Sequence, residues 1–371
     1  MTSTNSPKIR VINIVDNVTK VNFGIWNAAV ATAQALLEGH NIATELWGPP
    51  TEQNPESPHF TFVPVPDTSP KGLQKLAAER QLDPTHDIVI THGTWRYPTK
   101  WGATLAKQHY QWIAVPHGML RYWCIKIKGW KKYPFFWFSE RPNTRLAAAI
   151  RAVSAPEERE LREQFVGHKL IFRQPNCTTI PAKLQQKDTQ PRIVLFMARI
   201  HTGKRVVELA KAWTQSKLNK HPDFRLLIAG PDDGALPALN SFLATQTDSN
   251  IAYIGPKYGA EKAEILHRAS YYILPSVAES FPSSVIEALS YGLVSLITPH
   301  CNFPEVLDTG IALPIDTEIT DITDGLNRLI SFTPQQWAEH SERGTALVRT
   351  GYSDIGIAAQ QANMYRQLLK H

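Results

Sequence analysis

The stretch RIVLFMARIHTGKRVVELAKAWTQS, residues 192–216, sets the architecture. It opens on a short apolar run (RIVLFMA, 192–198), crosses a basic loop, and continues from Arg205 to Ser216 with apolar residues at helical spacing. An apolar run of this length suits a parallel strand buried on both faces. A strand passing directly into a helix is the repeating unit of a doubly wound sheet. The same alternation continues on either side. Downstream lie the runs FRLLIAG (224–230), IAYIG (251–255), YYILPS (271–276), VSLIT (294–298) and IALPI (311–315), with a helix from Ser284 to Tyr291. Upstream lie IRVINIV (9–15), IATELW (42–47), FTFVPV (60–65), DIVITH (87–92), WIAVPH (112–117) and IRAVSA (150–155). An Ala-rich helix, Ile25 to Leu37, is expected after the first of these, closed by Gly39.

The chain of 371 residues is too long for one core at ~150 residues per domain. The polar stretch AKLQQKDTQP (182–191) has a linker's composition. The fold class expected is α/β: two Rossmann-like, doubly wound parallel-sheet domains, over 1–182 and 190–353. With 43% hydrophobic and 19% charged residues the chain is not mainly disordered. A net charge of +6 suits an anionic small molecule or membrane surface better than duplex nucleic acid, so no nucleic-acid partner is expected. Cys124, Cys177 and Cys301 have no metal-ligand spacing and read as free or buried thiols. The polar N-terminus MTSTNSPKIR and the lack of a long apolar run predict a cytoplasmic protein, able to touch a membrane from that side.

Ligands of doubly wound sheets sit beyond the carboxyl ends of the strands. That rule selects Gly24, His92, His117, Arg199, Gly230, Gly255 and Glu279. In PSVAESFPSSVIEALSYG (275–292) a loop carries Glu279, and a helix starting near Ser284 places Glu287 in its first turn. Such a helix start offers N–H groups and a positive dipole end to phosphate, and a carboxylate there can accept hydrogen bonds from vicinal hydroxyls. The competing reading is a capping box, Ser284-x-x-Glu287, that only stabilises the helix. Arg199 and Lys204 leave one strand end as two cations fit to clamp a pyrophosphate; alternatively they belong to a solvated charged loop. His117 precedes a glycine that permits close approach, and either it or His92 can bond a hydroxyl or phosphate, or a backbone carbonyl.

Taken in order, ARIHTGKR (198–205) and ESFPSSVIEALSYG (279–292) resemble the GT4 family of retaining glycosyltransferases with the GT-B fold. AAVATAQALLEGHNI, VPHGML, FRLLIAGP, IAYIGPKYGAEK and GYSDIGIAAQQANMYRQLL agree, so the resemblance spans nearly the whole chain. It implies two domains facing each other across a cleft, with a C-terminal helix (354–369) packing back on the first. It implies that Arg199 and Lys204 bind the diphosphate of a nucleotide sugar, Glu287 its ribose, and Glu279 the transferred sugar. Backbone of Phe281, Pro282, Ser283 and Ser284 approaches the phosphates, and residues from Tyr253 through Gly255 to Lys257 flank the base. His117 lies near the transferring sugar or acceptor, with His92 and Trp123 as further acceptor-side candidates. Catalysis then rests on His117, Arg199, Lys204 and Glu279, without metal or resident cofactor, on a carbohydrate or lipid-linked acceptor in cell-surface polysaccharide or glycolipid synthesis. The sequence departs from the family pattern at Ala198 and Arg205, where glycine is common, at the lone Gly24, and at Pro282, which has no N–H, leaving Ser283 and Ser284 to donate.

RYWCIKIKGWKKYPFFWF (121–138) combines five Lys/Arg with eight aromatics. This suits an anionic membrane interface, nucleic-acid stacking, a sugar acceptor on Trp123 or Trp130, or a helix that buries its aromatics. Among rivals, a nicotinamide dehydrogenase lacks its G-x-G-x-x-G, and a P-loop enzyme its GxxxxGK[ST]. A two-lobed binding protein needs export; a nucleotide-sugar epimerase shares the scaffold and remains the alternative. No Asp-x-Asp occurs, which favours metal-independent catalysis.

Overall fold

The structure is a computed structural model describing residues 9–19, 22–182, 184 and 192–370. Of the expected linker only Ala182 and Leu184 fall among these; the rest of it, like the first eight residues, lies outside the described residues. The chain divides into two compact units. One runs to Cys177 and takes up the chain again from Asp354; the other spans Thr178–Ser353.

The first unit holds seven strands: β1 (Ile9–Val15), β2 (Ile42–Gly48), β3 (Thr61–Pro64), β4 (Asp87–His92), β5 (Gln111–Val115), β6 (Ala149–Ala152) and β7 (Ile171–Arg173). Their order is β3-β2-β1-β4-β5-β6-β7, and the pairings are parallel. The chain winds outward from β1 in both directions, so the switch point lies between β1 and β4, where doubly wound folds hold their ligands. Ile12, Ile14, Ile88, Val89 and Trp112 are fully buried, as strands covered on both faces require. Gly102, on helix Tyr97–Ala106, lets that helix lie flat on Trp112; a Cβ there would stand 2.2 Å from the indole. β7 escaped the sequence reading because three residues are too few to carry a period.

The second unit holds β8 (Arg192–Met197), β9 (Phe224–Ala229), β10 (Ile251–Tyr253), β11 (Ala269–Leu274), β12 (Val294–Ile297) and β13 (Leu313–Pro314). The order is β10-β9-β8-β11-β12-β13, again parallel, with the switch point between β8 and β11. Tyr271 and Tyr272 are buried in β11. The Tyr272 hydroxyl is hydrogen-bonded to the Met197 carbonyl (3.0 Å) and to Ser284 Oγ (2.7 Å), tying β8 to the helix Ser283–Ser290.

Several boundaries move. The expected helix 25–37 is two helices, Phe23–Val30 and Ala33–His40. Thr32 sits at the break, and its hydroxyl donates to Gln361 Oε1 at 2.6 Å. Gly39 lies inside the second helix; the left-handed residue that ends it is Asn41, with φ 56°. Asparagine tolerates that conformation better than most residues. Strand 112–117 stops at Val115, because Pro116 has no N–H for the ladder. The run 311–315 shrinks to two residues.

The C-terminal helix Asp354–Leu368 belongs to the first unit. It buries Ile357, Ala358, Ala362 and Tyr365, and Arg366 donates to the His40 carbonyl at 3.2 Å. Among the described residues no helix is long and apolar enough to cross a membrane.

Candidate functional site

In the second unit the loops after β8 and β11 are laced together at the switch point. The β8 loop closes through a short 3-10 turn, Thr202–Lys204, whose start is capped by His201 Nδ1 accepting from the Gly203 N–H at 3.0 Å. The Val277 N–H donates to the Gly203 carbonyl at 3.0 Å, and Ser276 Oγ donates to the same oxygen at 3.2 Å. From the other side, the Glu279 N–H donates to the His300 carbonyl at 2.9 Å. These bonds bring the Lys204 ammonium onto the Glu279 carboxylate, with side chains only 14% and 11% exposed. Two charges so sheltered interact more strongly than a surface pair.

Arg199, the second cation of this loop, pairs with Asp233 and is about half exposed. Asp233 was missed in the sequence, although it follows a strand end. The backbone reaches this geometry through Gly230, at φ +149°, where a Cβ would stand 1.8 Å from the Ala198 carbonyl oxygen. Arg205 occupies a left-handed conformation, φ 55°, the region that favours glycine. Its guanidinium bonds to the Thr317 carbonyl at 3.0 Å and to Glu208 at 3.1 Å, which offsets the backbone cost.

The capping-box reading of Ser284 and Glu287 is overturned. The N-cap position is Pro282, without a side-chain cap, and Glu287 stands fifth in the helix Ser283–Ser290, beyond the first turn. The Ser284 hydroxyl is taken by Tyr272, and Glu287 Oε1 lies 2.5 Å from Lys262 Nζ. Lys262 is the second residue that sequence reasoning missed; no strand-end rule reaches into a helix. The expectation that Ser283 and Ser284 both donate to phosphate narrows. The Ser283 N–H already donates to the Phe281 carbonyl at 3.0 Å, whereas the Ser284 N–H has no acceptor among the described residues. Phe281 packs against Tyr352 at 6.5 Å between ring centroids. Near β10, Gly255 has φ +74° and its carbonyl accepts from the Gly230 N–H at 3.2 Å, while Lys257 lies 3.8 Å from Glu261.

In the first unit two histidines meet at the other switch point. His92 ends β4, and His117 follows β5 in a left-handed turn with Gly118 (φ 53° and 78°). The buried Glu157 carboxylate holds that turn, accepting from the Gly118 N–H at 2.5 Å and the Val153 N–H at 2.7 Å. Burial nonetheless pushes Glu157 up to about 7. His92 Nδ1 lies 2.9 Å from His117 Nε2, and its Nε2 lies 3.0 Å from Asn13 Oδ1 on β1. The expectation that His92 meets an acceptor is therefore corrected, because it is buried with both ring nitrogens engaged. Burial, with Arg151 adding repulsion, lowers His117 to about 3, so the ring is neutral at physiological pH. Gly24 lies exposed near the start of helix Phe23–Val30.

The segment 121–138 does not form one helix. Helices Tyr122–Lys126 and Gly129–Phe135 are broken by Lys128 at φ 57°, and a π turn, Phe136–Glu140, follows. Ile125, Phe136 and Glu140 anchor it, with the Glu140 carboxylate accepting from Thr99 Oγ1 at 2.7 Å. The buried-aromatic reading fails for the rest: Trp130 is 78% exposed, Phe138 86%, and Trp137 and Tyr133 are exposed as well. Lys126, Lys128 and Lys131 are exposed among them, Trp123 is half-buried, and Lys132 donates to the Cys124 carbonyl at 2.7 Å. The three cysteines are free, and burial raises every one of these thiols, Cys301 to about 12.

Each unit matches a family model. Residues 24–177 match the glycosyl transferase 4-like domain, and residues 179–343 match glycosyl transferases group 1. The chain is similar to the phosphatidylinositol N-acetylglucosaminyltransferase gpi3 subunit of Schizosaccharomyces pombe, 21% identical over 209 residues, or 53% of this chain. That match spans 45% of the yeast protein, just under half its length. Among solved structures, a glycosyltransferase from Rickettsia africae ESF-5 superposes with a TM-score of 0.76 at 15% identity, over 98% of this chain and 99% of that one. Anabaena HepE in complex with UDP and glucose superposes with a TM-score of 0.75 at 12% identity, over 96% and 99%. At such identities these likenesses speak for the fold.

Proposed function

We infer that this chain, which belongs to the GT-B superfamily of glycosyltransferases, is a retaining, metal-independent enzyme of the GT4 family. It moves a sugar from a nucleoside diphosphate sugar to a carbohydrate or lipid-linked acceptor, in polysaccharide or glycolipid synthesis, on the cytoplasmic side of a membrane. The observation that carries this reading is the sheltered Lys204–Glu279 pair on the β8 and β11 loops, with Arg199 on the first of them. UDP bound to the Anabaena protein supports the donor class.

In the reaction the bond between the sugar's anomeric carbon and the diphosphate oxygen breaks. A bond to the acceptor oxygen forms on the same face, and the acceptor's hydroxyl proton passes to the departing diphosphate. Negative charge grows on that leaving group and must be met by groups already in place. Lys204 and Arg199 meet it by exchanging their carboxylate partners for phosphate oxygens, helped by the Ser284 N–H at the helix start. Glu279 then holds hydroxyls of the transferred sugar, Glu287 holds the ribose, and the turn from Gly255 to Lys257 flanks the base. His117 orients the sugar or acceptor and need not act as a base.

A thermal-shift screen of nucleotide sugars selects the donor, since ligand binding to the folded state raises its stability. Transfer with that donor, read by NMR of the anomeric proton, is then expected to give retained product at an undiminished rate in EDTA. An inverted product removes the retaining assignment. Activity lost in EDTA and restored by magnesium or manganese removes metal independence. Isomerisation of the free donor without transfer makes the protein an epimerase instead.

The basic aromatic segment fits the cytoplasmic face of an anionic membrane, with Trp130, Trp137 and Phe138 seated among the headgroups. Lys126, Lys128 and Lys131 supply about 1 kcal/mol each near such a surface. Changing these three to Gln is expected to weaken cosedimentation with phosphatidylserine vesicles by roughly 100-fold. Lys132 is left in place because it holds the Cys124 carbonyl. A parent protein that ignores the vesicles ends the membrane reading and favours a soluble acceptor.

A further inference from the structure

The strand β1 reads IRVINIV, and Asn13, polar between two isoleucines, is buried. A buried amide is kept where its hydrogen bonds are made. Asn13 Nδ2 faces the Glu45 carbonyl at 3.4 Å, and a carbonyl can only accept. That contact fixes which way the amide points, so Oδ1 is the atom directed at His92 Nε2, 3.0 Å away. An amide oxygen also only accepts, so His92 carries its proton on Nε2. A neutral imidazole has one ring proton, which leaves His92 Nδ1 as a lone pair. His117 Nε2, 2.9 Å from it, must therefore be the donor, and His117 Nδ1 is left as a lone pair in turn. Among the described residues nothing bonds His117 Nδ1, while Glu157 holds the backbone beneath it through the Gly118 N–H.

We propose that Asn13 and His92 are positioning residues that lock His117 in its Nε2–H tautomer, so that it presents Nδ1 as a hydrogen-bond acceptor for a substrate hydroxyl. Which ring nitrogen carries the proton is set by the bond the other one makes, and here that setting passes through two residues. The consequence is selective. A sugar hydroxyl can donate to Nδ1, whereas an ionised phosphate oxygen, itself only an acceptor, is repelled. His117 thus belongs to the sugar or acceptor and not to the donor diphosphate, an assignment that rests on the transferase reading above.

Nitrogen-15 NMR of histidine-labelled, full-length protein at pH 7 separates the two tautomers and the imidazolium directly. In the parent protein His92 and His117 are both expected as Nε2–H tautomers. In Asn13→Leu, His92 loses its acceptor, and its proton can move to Nδ1 and be donated to His117 Nε2. His117 should then populate the Nδ1–H form. With the donor identified by the transfer screen, kcat should fall about tenfold, as loss of an orienting partner typically does, with KM for the donor little changed. His117 protonated on Nδ1 in the parent spectrum overturns the proposal, whether or not the variant folds. An unchanged His117 tautomer in a folded Asn13→Leu protein overturns the relay as well. The parent spectrum needs no substrate, so it can succeed where the transferase reading fails, and the transfer assay can succeed where the tautomer does not.

Discussion

Lys204→Ala is expected to lower kcat by about 10²–10³-fold, the usual effect of removing one preorganised group from developing negative charge. Arg199→Ala should act in the same direction. The two variants differ in their structural cost. Lys204 and Glu279 are both sheltered, so the alanine leaves a carboxylate at 11% exposure without its counter-ion, and some loss of stability accompanies the loss of rate. Arg199 and Asp233 are far more open, and breaking that pair should cost no more than about 1 kcal/mol. Arg199→Ala is therefore the cleaner probe: a slow enzyme with a nearly unshifted melting temperature. Lys204→Ala is then read against its own measured stability at the assay temperature. A kcat within about threefold of the parent in either folded variant, less than 1 kcal/mol of transition-state stabilisation, removes that cation from the chemistry.

The strands were legible because sheets covered on both faces demand apolar runs, and those runs lie in one continuous piece of sequence. What failed to read was decided by partners far along the chain. The break between helices Phe23–Val30 and Ala33–His40 depends on Thr32, whose hydroxyl reaches Gln361 in the C-terminal helix. The spacing Ser284-x-x-Glu287 satisfied the capping-box pattern, yet the helix begins one residue earlier, after Pro282. Ser284 then turns to Tyr272, and Glu287 turns to Lys262. A four-residue pattern has no access to either partner.

The site residues follow the same logic. The strand-end rule found Arg199, Glu279, His92 and His117, because it depends only on where strands stop. It could not say which of the two buried histidines keeps an unbonded ring nitrogen. His92 ends the more central strand and is covered, while His117 follows β5 in a turn that leaves one ring nitrogen unbonded. A sequence signal for the relay did exist, in the asparagine interrupting IRVINIV. In a strand buried on both faces a polar residue needs a specific partner, and the partner was a histidine that the end of β4 had already marked. For the segment 121–138 the alternative of a helix burying its aromatics failed for a different reason. Its aromatics follow no period, and with Lys128 left-handed and Pro134 inside a helix the chain there cannot build a continuous apolar face.

Glu287→Gln is expected to weaken donor binding by roughly 1.5–3 kcal/mol, about 10- to 150-fold, with the fold intact. With the capping box excluded, two roles remain for this carboxylate: grip of the ribose, or counter-ion to Lys262. They predict different outcomes. Lys262 occupies Oε1, at 2.5 Å, and Oε2 has no partner among the described residues, so the carboxylate can serve a hydroxyl without releasing the lysine. If the ribose uses that oxygen, the change to Gln replaces a charge-assisted bond by a neutral one and calorimetry registers the loss. The ion pair is partly open to solvent, so the same change should cost no more than about 1 kcal/mol in unfolding stability. If Glu287 serves only as counter-ion, the same small loss of stability is all that remains, and the donor is bound as before. Lys262→Gln supplies the comparison. Under the ribose reading it should leave donor affinity closer to the parent than Glu287→Gln does. Equal affinities for the parent and Glu287→Gln, measured with the donor chosen by thermal shift, would remove Glu287 from the donor site and leave the pair as a brace between the helices Gly259–Arg268 and Ser283–Ser290.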